Sequence, residues 1–105
     1  MNTADYIEIA KNRIVERFHP LRVLLFGSQA RKNPHKDSDI DLLVVMSEAV
    51  DKRQTAIEIR RSLNDLPISK DIIVTTPDEI ERRGDLIGTV LRPALREGKV
   101  IYERI

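Results

Sequence analysis

Apolar residues recur at Ile7, Ala10, Ile14 and Phe18, in steps that place them on one side of a helix. Thr3 stands where a cap belongs, and Pro20 lies just past the far end. The pattern then changes to short apolar runs. Arg22-Val-Leu-Leu-Phe26 is rich in strand formers and is closed by Gly27. Asp39-Ile-Asp-Leu-Leu-Val-Val-Met46 reads as a second strand, and its apolar second half predicts burial on both faces. Helical spacing returns from about Asp51 to Leu66, with Ala56, Ile59, Leu63 and Leu66 on one side and Pro67 as the stop. Lys70-Asp-Ile-Ile-Val-Thr75 is a third strand.

Thr76-Pro-Asp-Glu79 carries the clearest local signal, with Thr76 as N-cap, Pro77 in the first turn and Glu79 completing a capping box. That helix is expected to end at Arg82-Arg-Gly84. A further helix bears Ile87, Leu91, Ala94 and Leu95, with Pro93 as a kink or break, and stops near Gly98. Val100-Ile-Tyr102 is a last short strand or an extended tail. Ser28 to Lys32 has room for one helical turn, and Asn33 to Ser38 is turn chemistry throughout. The alternation predicts an α/β fold, one sheet covered by helices.

A length of 105 residues and a mass of 12.1 kDa fit a single domain over residues 1–105. Leu, Ile, Val and Phe number 33, enough for a core and well clear of disordered composition. Charges nearly cancel, 18 Lys and Arg against 17 Asp and Glu, and there are two Phe, two Tyr and no Trp. Neither a cationic surface nor a stacking platform is available, so no direct nucleic-acid binding is expected. The absence of cysteine excludes disulfides, thiolate metal sites and a cysteine nucleophile. The opening MNTADYIEIAKNRI carries acids and has no unbroken apolar run, so a soluble, intracellular domain without a membrane segment is expected.

Asp39 and Asp41 change the picture. Alternate residues of a strand share a face, so the two carboxylates stand side by side while Ile40 and Leu42 turn to the core. Like charges so placed repel unless a cation sits between them, and a hard ion such as Mg²⁺ takes oxygen ligands while leaving positions open for phosphate. Taken alone, a D-x-D is more often a solvated turn-to-strand junction. A third acid, Asp71, opens the next strand and faces the same spot if the two strands are neighbours. Three carboxylates there suffice for two ions; alone, Asp71 reads equally well as a strand-edge charge that keeps the sheet soluble.

Gly27 and Ser28 follow the first strand. A glycine lets backbone approach an anion, and free N–H groups at a helix start favour phosphate, although Ser28 taken alone is more often an ordinary N-cap. Arg31 lies one turn on and adds positive charge, while Lys32 and Lys36 flank the loop. His19 and His35 have no partner at zinc-site spacing. In haloacid-dehalogenase-type phosphatases and many sugar-nucleotide glycosyltransferases an apolar strand precedes the aspartates. Here the acids open the strand, which argues against both.

Gly27-Ser28, ten intervening residues and Asp39-Ile-Asp41, followed by Asp71, resemble the signature of the DNA polymerase β-like nucleotidyltransferase superfamily. Arg31 and Ser38 agree with the wording of its minimal nucleotidyltransferase group, and the chain has the size of that group. The resemblance covers Arg22 to about Thr75. It implies a small mixed sheet packed with helices and an active site at one edge. It also implies transfer of a nucleoside monophosphate from an NTP, taken as ATP, to a hydroxyl with release of pyrophosphate. Asp39 and Asp41 would then bind two Mg²⁺ ions, and Asp71 would bind the catalytic one and help deprotonate the acceptor. Gly27 and Ser28 would hold the β- and γ-phosphates, with Arg31 assisting.

A chain of this length has no room for an acceptor-binding domain as well, so another protein is expected to present the hydroxyl. Minimal nucleotidyltransferases are typically paired with a helical HEPN-domain toxin, and characterised members add AMP to a tyrosine of it. The resemblance therefore implies an antitoxin in a prokaryotic cytoplasm. Two other readings stay open at this point. One is a non-catalytic nucleotide- or partner-binding module that neutralises its partner by docking, and the other is transfer to a small molecule or nucleic acid held by a partner.

Overall fold

The computed structural model describes residues 2–26, 40–47, 50–83 and 98–104. Its elements run α1 (Thr3–Phe18), β1 (Arg22–Phe26), β2 (Ile40–Val45), α2 (Lys52–Ser62), β3 (Lys70–Thr75), α3 (Pro77–Arg83) and β4 (Lys99–Glu103). The strands form one sheet in the order β3-β2-β1-β4. β1 is antiparallel to β2 and β4, and β2 is parallel to β3, so the sheet is mixed. The α/β expectation holds, and the tail at residues 100–102 is a strand.

The cap of α1 is Asn2, one residue before the expected Thr3. Its side chain accepts from the Asp5 N–H at 3.0 Å, and the Asp5 carboxylate accepts from the Asn2 N–H at 3.1 Å. This reciprocal pair satisfies two donors at once. The helix ends at His19, which takes the left-handed conformation (φ 51°) and donates its N–H to the Val15 oxygen, ahead of Pro20.

α2 starts where expected, with Asp51 accepting from the Gln54 N–H at 3.0 Å. It ends at Ser62, four residues short of Leu66. Leu63 bonds back to Arg60, and Asn64 and Asp65 continue as a turn, the conformation their short polar side chains favour. Leu63 and Leu66 are nevertheless buried, so the apolar spacing survives the end of the helix. Arg13 of α1 clasps this turn, donating to both carboxylate oxygens of Asp65 at 2.5 and 3.0 Å and to the Ser62 oxygen at 2.9 Å. The hydrogen bonds from Arg13 hold the Asp65 carboxyl below its usual range and raise the guanidinium in turn.

The sheet has two apolar faces. Val23, Leu25, Ile40, Leu42, Val44, Ile72 and Val74 pack with Ala10 and Ile14 of α1 and Ile59 of α2. On the other side Leu24, Leu43 and Val45 pack with Phe26, Ile73 and Ile80 of α3. β2 is therefore buried on both faces, as its run of Leu and Val predicts. α3 begins on the expected Thr76, whose Oγ1 accepts from the Glu79 N–H at 3.3 Å. The Glu79 carboxylate accepts from the Thr75 hydroxyl at 2.7 Å and from Lys52, which ties β3, α3 and α2 together. The turn at Ser28 to Lys32, the loop to Ser38, the stop at Gly84 and the helix over Ile87 to Leu95 lie outside the described residues. No helix among the described residues is long and apolar enough to cross a membrane.

Candidate active site

Three strand ends meet at one end of the sheet. β1 arrives there at Phe26, while β2 and β3 depart from it at Ile40 and Lys70. The register places Phe26, Asp41 and Asp71 in a single cross-strand row. The row behind it is Leu24, Leu43 and Ile73, and these belong to the second apolar cluster. Period-2 alternation carries this face to the front row. Asp41 and Asp71 therefore stand side by side at the polar rim of an apolar surface, on adjacent strands about 4.8 Å apart.

Ile40 and Leu42 turn to the opposite face and are fully buried, as the alternation requires. Asp41 is half-buried against β1 and β3, whereas Asp71 on the outer strand is exposed. The sequence expectation that β2 and β3 are neighbours is met, and the two acids they carry come together. Asp39, Gly27, Ser28 and Arg31 lie outside the described residues. Gly27 is bonded directly to Phe26, which stands in register with Asp41.

Two basic groups lie close to Asp71. Lys70 adjoins it in sequence, but its ammonium donates to the Leu66 and Ile68 oxygens at 2.9 and 2.7 Å and so serves the turn that precedes the strand. Arg60 of α2 stands with its guanidinium 3.8 Å from Asp71 Oδ1 and donates to the Ile72 oxygen at 3.3 Å. Sequence reasoning missed Arg60. It belongs to no motif, and only the packing of α2 on β3 brings it to the acid.

The donor chemistry suits a divalent cation. Two carboxylates on one face offer hard oxygen ligands, and crowding like charges is costly without a cation. Among the described residues no group of three potential ligands gathers; Asp41 and Asp71 form a pair to which a further acid must be added.

The family described as nucleotidyltransferase domain matches residues 7–101, nearly the whole chain. No curated protein sequence gives a match. Among solved structures, a protein from Sulfolobus solfataricus assigned as a nucleotidyltransferase is similar, with 19% identity and a TM-score of 0.64 over 95% of this chain and 79% of that one. A toxin-antitoxin protein crystallised with AMP-PNP has 18% identity and a TM-score of 0.55, covering 92% of this chain and 73% of the other. The toxin-antitoxin MntA-HepT has 15% identity and a TM-score of 0.52 over the same shares, 92% and 73%. At these identities the structures speak for the fold, and the sequence match speaks for the family. The chain belongs to the nucleotidyltransferase domain family, and it is a nucleotidyltransferase.

Proposed function

We infer that residues 1–105 act as a single minimal nucleotidyltransferase domain that moves AMP from ATP to a hydroxyl, a tyrosine, of a partner HEPN-domain toxin in a prokaryotic cytoplasm. The observation that carries this reading is the in-register pair Asp41 and Asp71, at the end of the sheet where Phe26 leads into Gly27. Support for the nucleotide comes from a relative in fold that was crystallised with AMP-PNP. Support for the partner comes from relatives in fold that are toxin-antitoxin proteins.

Asp39, Asp41 and Asp71 would hold two Mg²⁺ ions. Bound there, the ions would neutralise the triphosphate and the charge that develops on the entering and leaving oxygens. The protein's own part is placement. Gly27 and Ser28 receive the β- and γ-phosphates on backbone N–H groups, and Arg31 adds a cation. Asp71, on the outer strand, takes the proton of the acceptor hydroxyl, which reaches it from outside the sheet. Leu24, Leu43 and Ile73 behind the acids keep water from that side of the carboxylates.

The test is incubation of this chain with Mg²⁺, labelled ATP and the helical protein encoded beside it, followed by mass spectrometry of that protein. Added AMP on a tyrosine, lost in Asp41→Asn, is expected. An unmodified partner that is still neutralised by Asp41→Asn would replace catalysis with docking. Label on a small molecule or nucleic acid instead would move the acceptor.

A further inference from the structure

Resting on the reading of Asp41 and Asp71 as cation ligands, we propose that Arg60 is a resident counterion of Asp71, a positioning residue against whose charge a divalent cation must bind. The guanidinium is anchored by the backbone and not by the acid. It donates to the Ile72 oxygen at 3.3 Å, whereas Asp71 Oδ1 lies at 3.8 Å, an ion-pair distance beyond hydrogen-bond reach. Ile72 is able to accept because β3 is an outer strand. β2 takes the Ser69 and Thr75 oxygens through the N–H groups of Ile40 and Met46, so alternation turns the Ile72 oxygen outward.

α2 packs on the opposite face of the sheet through Ile59, and Arg60 reaches Asp71 past the outer edge of β3. Both side chains are about half exposed, 54% for Arg60 and 58% for Asp71, so Asp71, which holds no hydrogen bond from the guanidinium, can turn to a cation without disturbing the core. Two consequences follow from this anchoring. Without a cation, the fixed positive charge offsets that of Asp71 and leaves the Asp71 oxygens unlocked. With a cation, the guanidinium stays beside Ile72 as a like charge that weakens binding.

The experiment titrates Mn²⁺ into the full chain and its variants at low ionic strength, with free Mn²⁺ read by electron paramagnetic resonance and no nucleotide present. Arg60→Gln is expected to bind Mn²⁺ about three- to tenfold more tightly than the parent, an effect that shrinks as salt is raised. Arg60→Lys, which keeps the charge, is expected to match the parent. Unchanged or weaker binding by Arg60→Gln overturns the proposal, and so does equal tightening by Arg60→Lys. If Asp71→Asn alone leaves Mn²⁺ affinity at the parental value, the ligand reading itself fails, and the Arg60 proposal with it. Weaker binding by Asp71→Asn together with an inert Arg60→Gln removes the Arg60 proposal alone.

Discussion

Asp41 and Asp71 are direct neighbours in register on the parallel strands β2 and β3, thirty positions apart in sequence and one strand spacing apart in the sheet. Replacing either by Asn removes one negative charge and one ligand while keeping shape. Nucleotidyl transfer should fall about a hundredfold or more in each variant, because charge neutralisation supplies several kcal/mol to such reactions. Asp71 is exposed, so Asp71→Asn should melt with the parent. Initial rates of label transfer and a thermal melt check both halves.

Removal of divalent cations gives the complementary result. Chelation should reduce transfer to background, and Mg²⁺ should restore it. Mn²⁺ should also raise the melting temperature of the parent, since a ligand held only by the folded state stabilises it. The Asp41→Asn, Asp71→Asn double variant should show no such rise in differential scanning fluorimetry.

The clasp between Arg13 and Asp65 predicts an acid limb. Its carboxyl is held low in the folded chain by the hydrogen bonds from Arg13, so folding favours the ionised form. The stability this contributes is present above the unfolded value of about 3.9 and is lost as pH falls through the depressed folded value. Asp65→Asn should flatten that part of the stability profile and leave the profile near neutrality parallel to the parent's. Urea midpoints collected across the acid range decide it.

Leu43 lies directly behind Asp41 in the row of Leu24 and Ile73, with no exposed surface. Leu43→Ala opens a cavity there and should cost about 2–5 kcal/mol in a urea titration. The same change should also lower transfer more than it lowers partner binding, because the floor beneath the acids is disturbed while the outer surface is kept. Equal losses in both would show that Leu43 acts through global stability only.

Much of this was legible because it is local. The spacing of Ala10 and Ile14 gives α1, the run from Lys70 to Thr75 gives β3 to the residue, and Thr76-Pro77 gives the start of α3. The errors arose where two local solutions compete. Asn2 wins the cap from Thr3 because Asp5 can reciprocate, and Asn64 with Asp65 ends α2 while Leu66 still satisfies the helical pattern. Pairing was less accessible. That β4 lies beside β1, or that Arg60 faces Asp71, depends on contacts between distant segments and leaves no trace in spacing. Asp41 and Asp71 could be brought together from sequence only because consecutive strands tend to pair. The positions 27, 28, 31 and 39 fall outside the described residues.

The pairing of β1 with β4 has a consequence for synthesis. Arg104 closes this seam, donating its N–H to the Leu21 oxygen at 2.9 Å and its guanidinium to the His19 oxygen. One flank of β1 is made early and meets its partner only after residues 99–103 have emerged. At ordinary ribosomal speeds that interval is about 4–15 s. Throughout it that edge of β1 presents unpaired backbone groups, a ready template for a stray strand from another nascent chain.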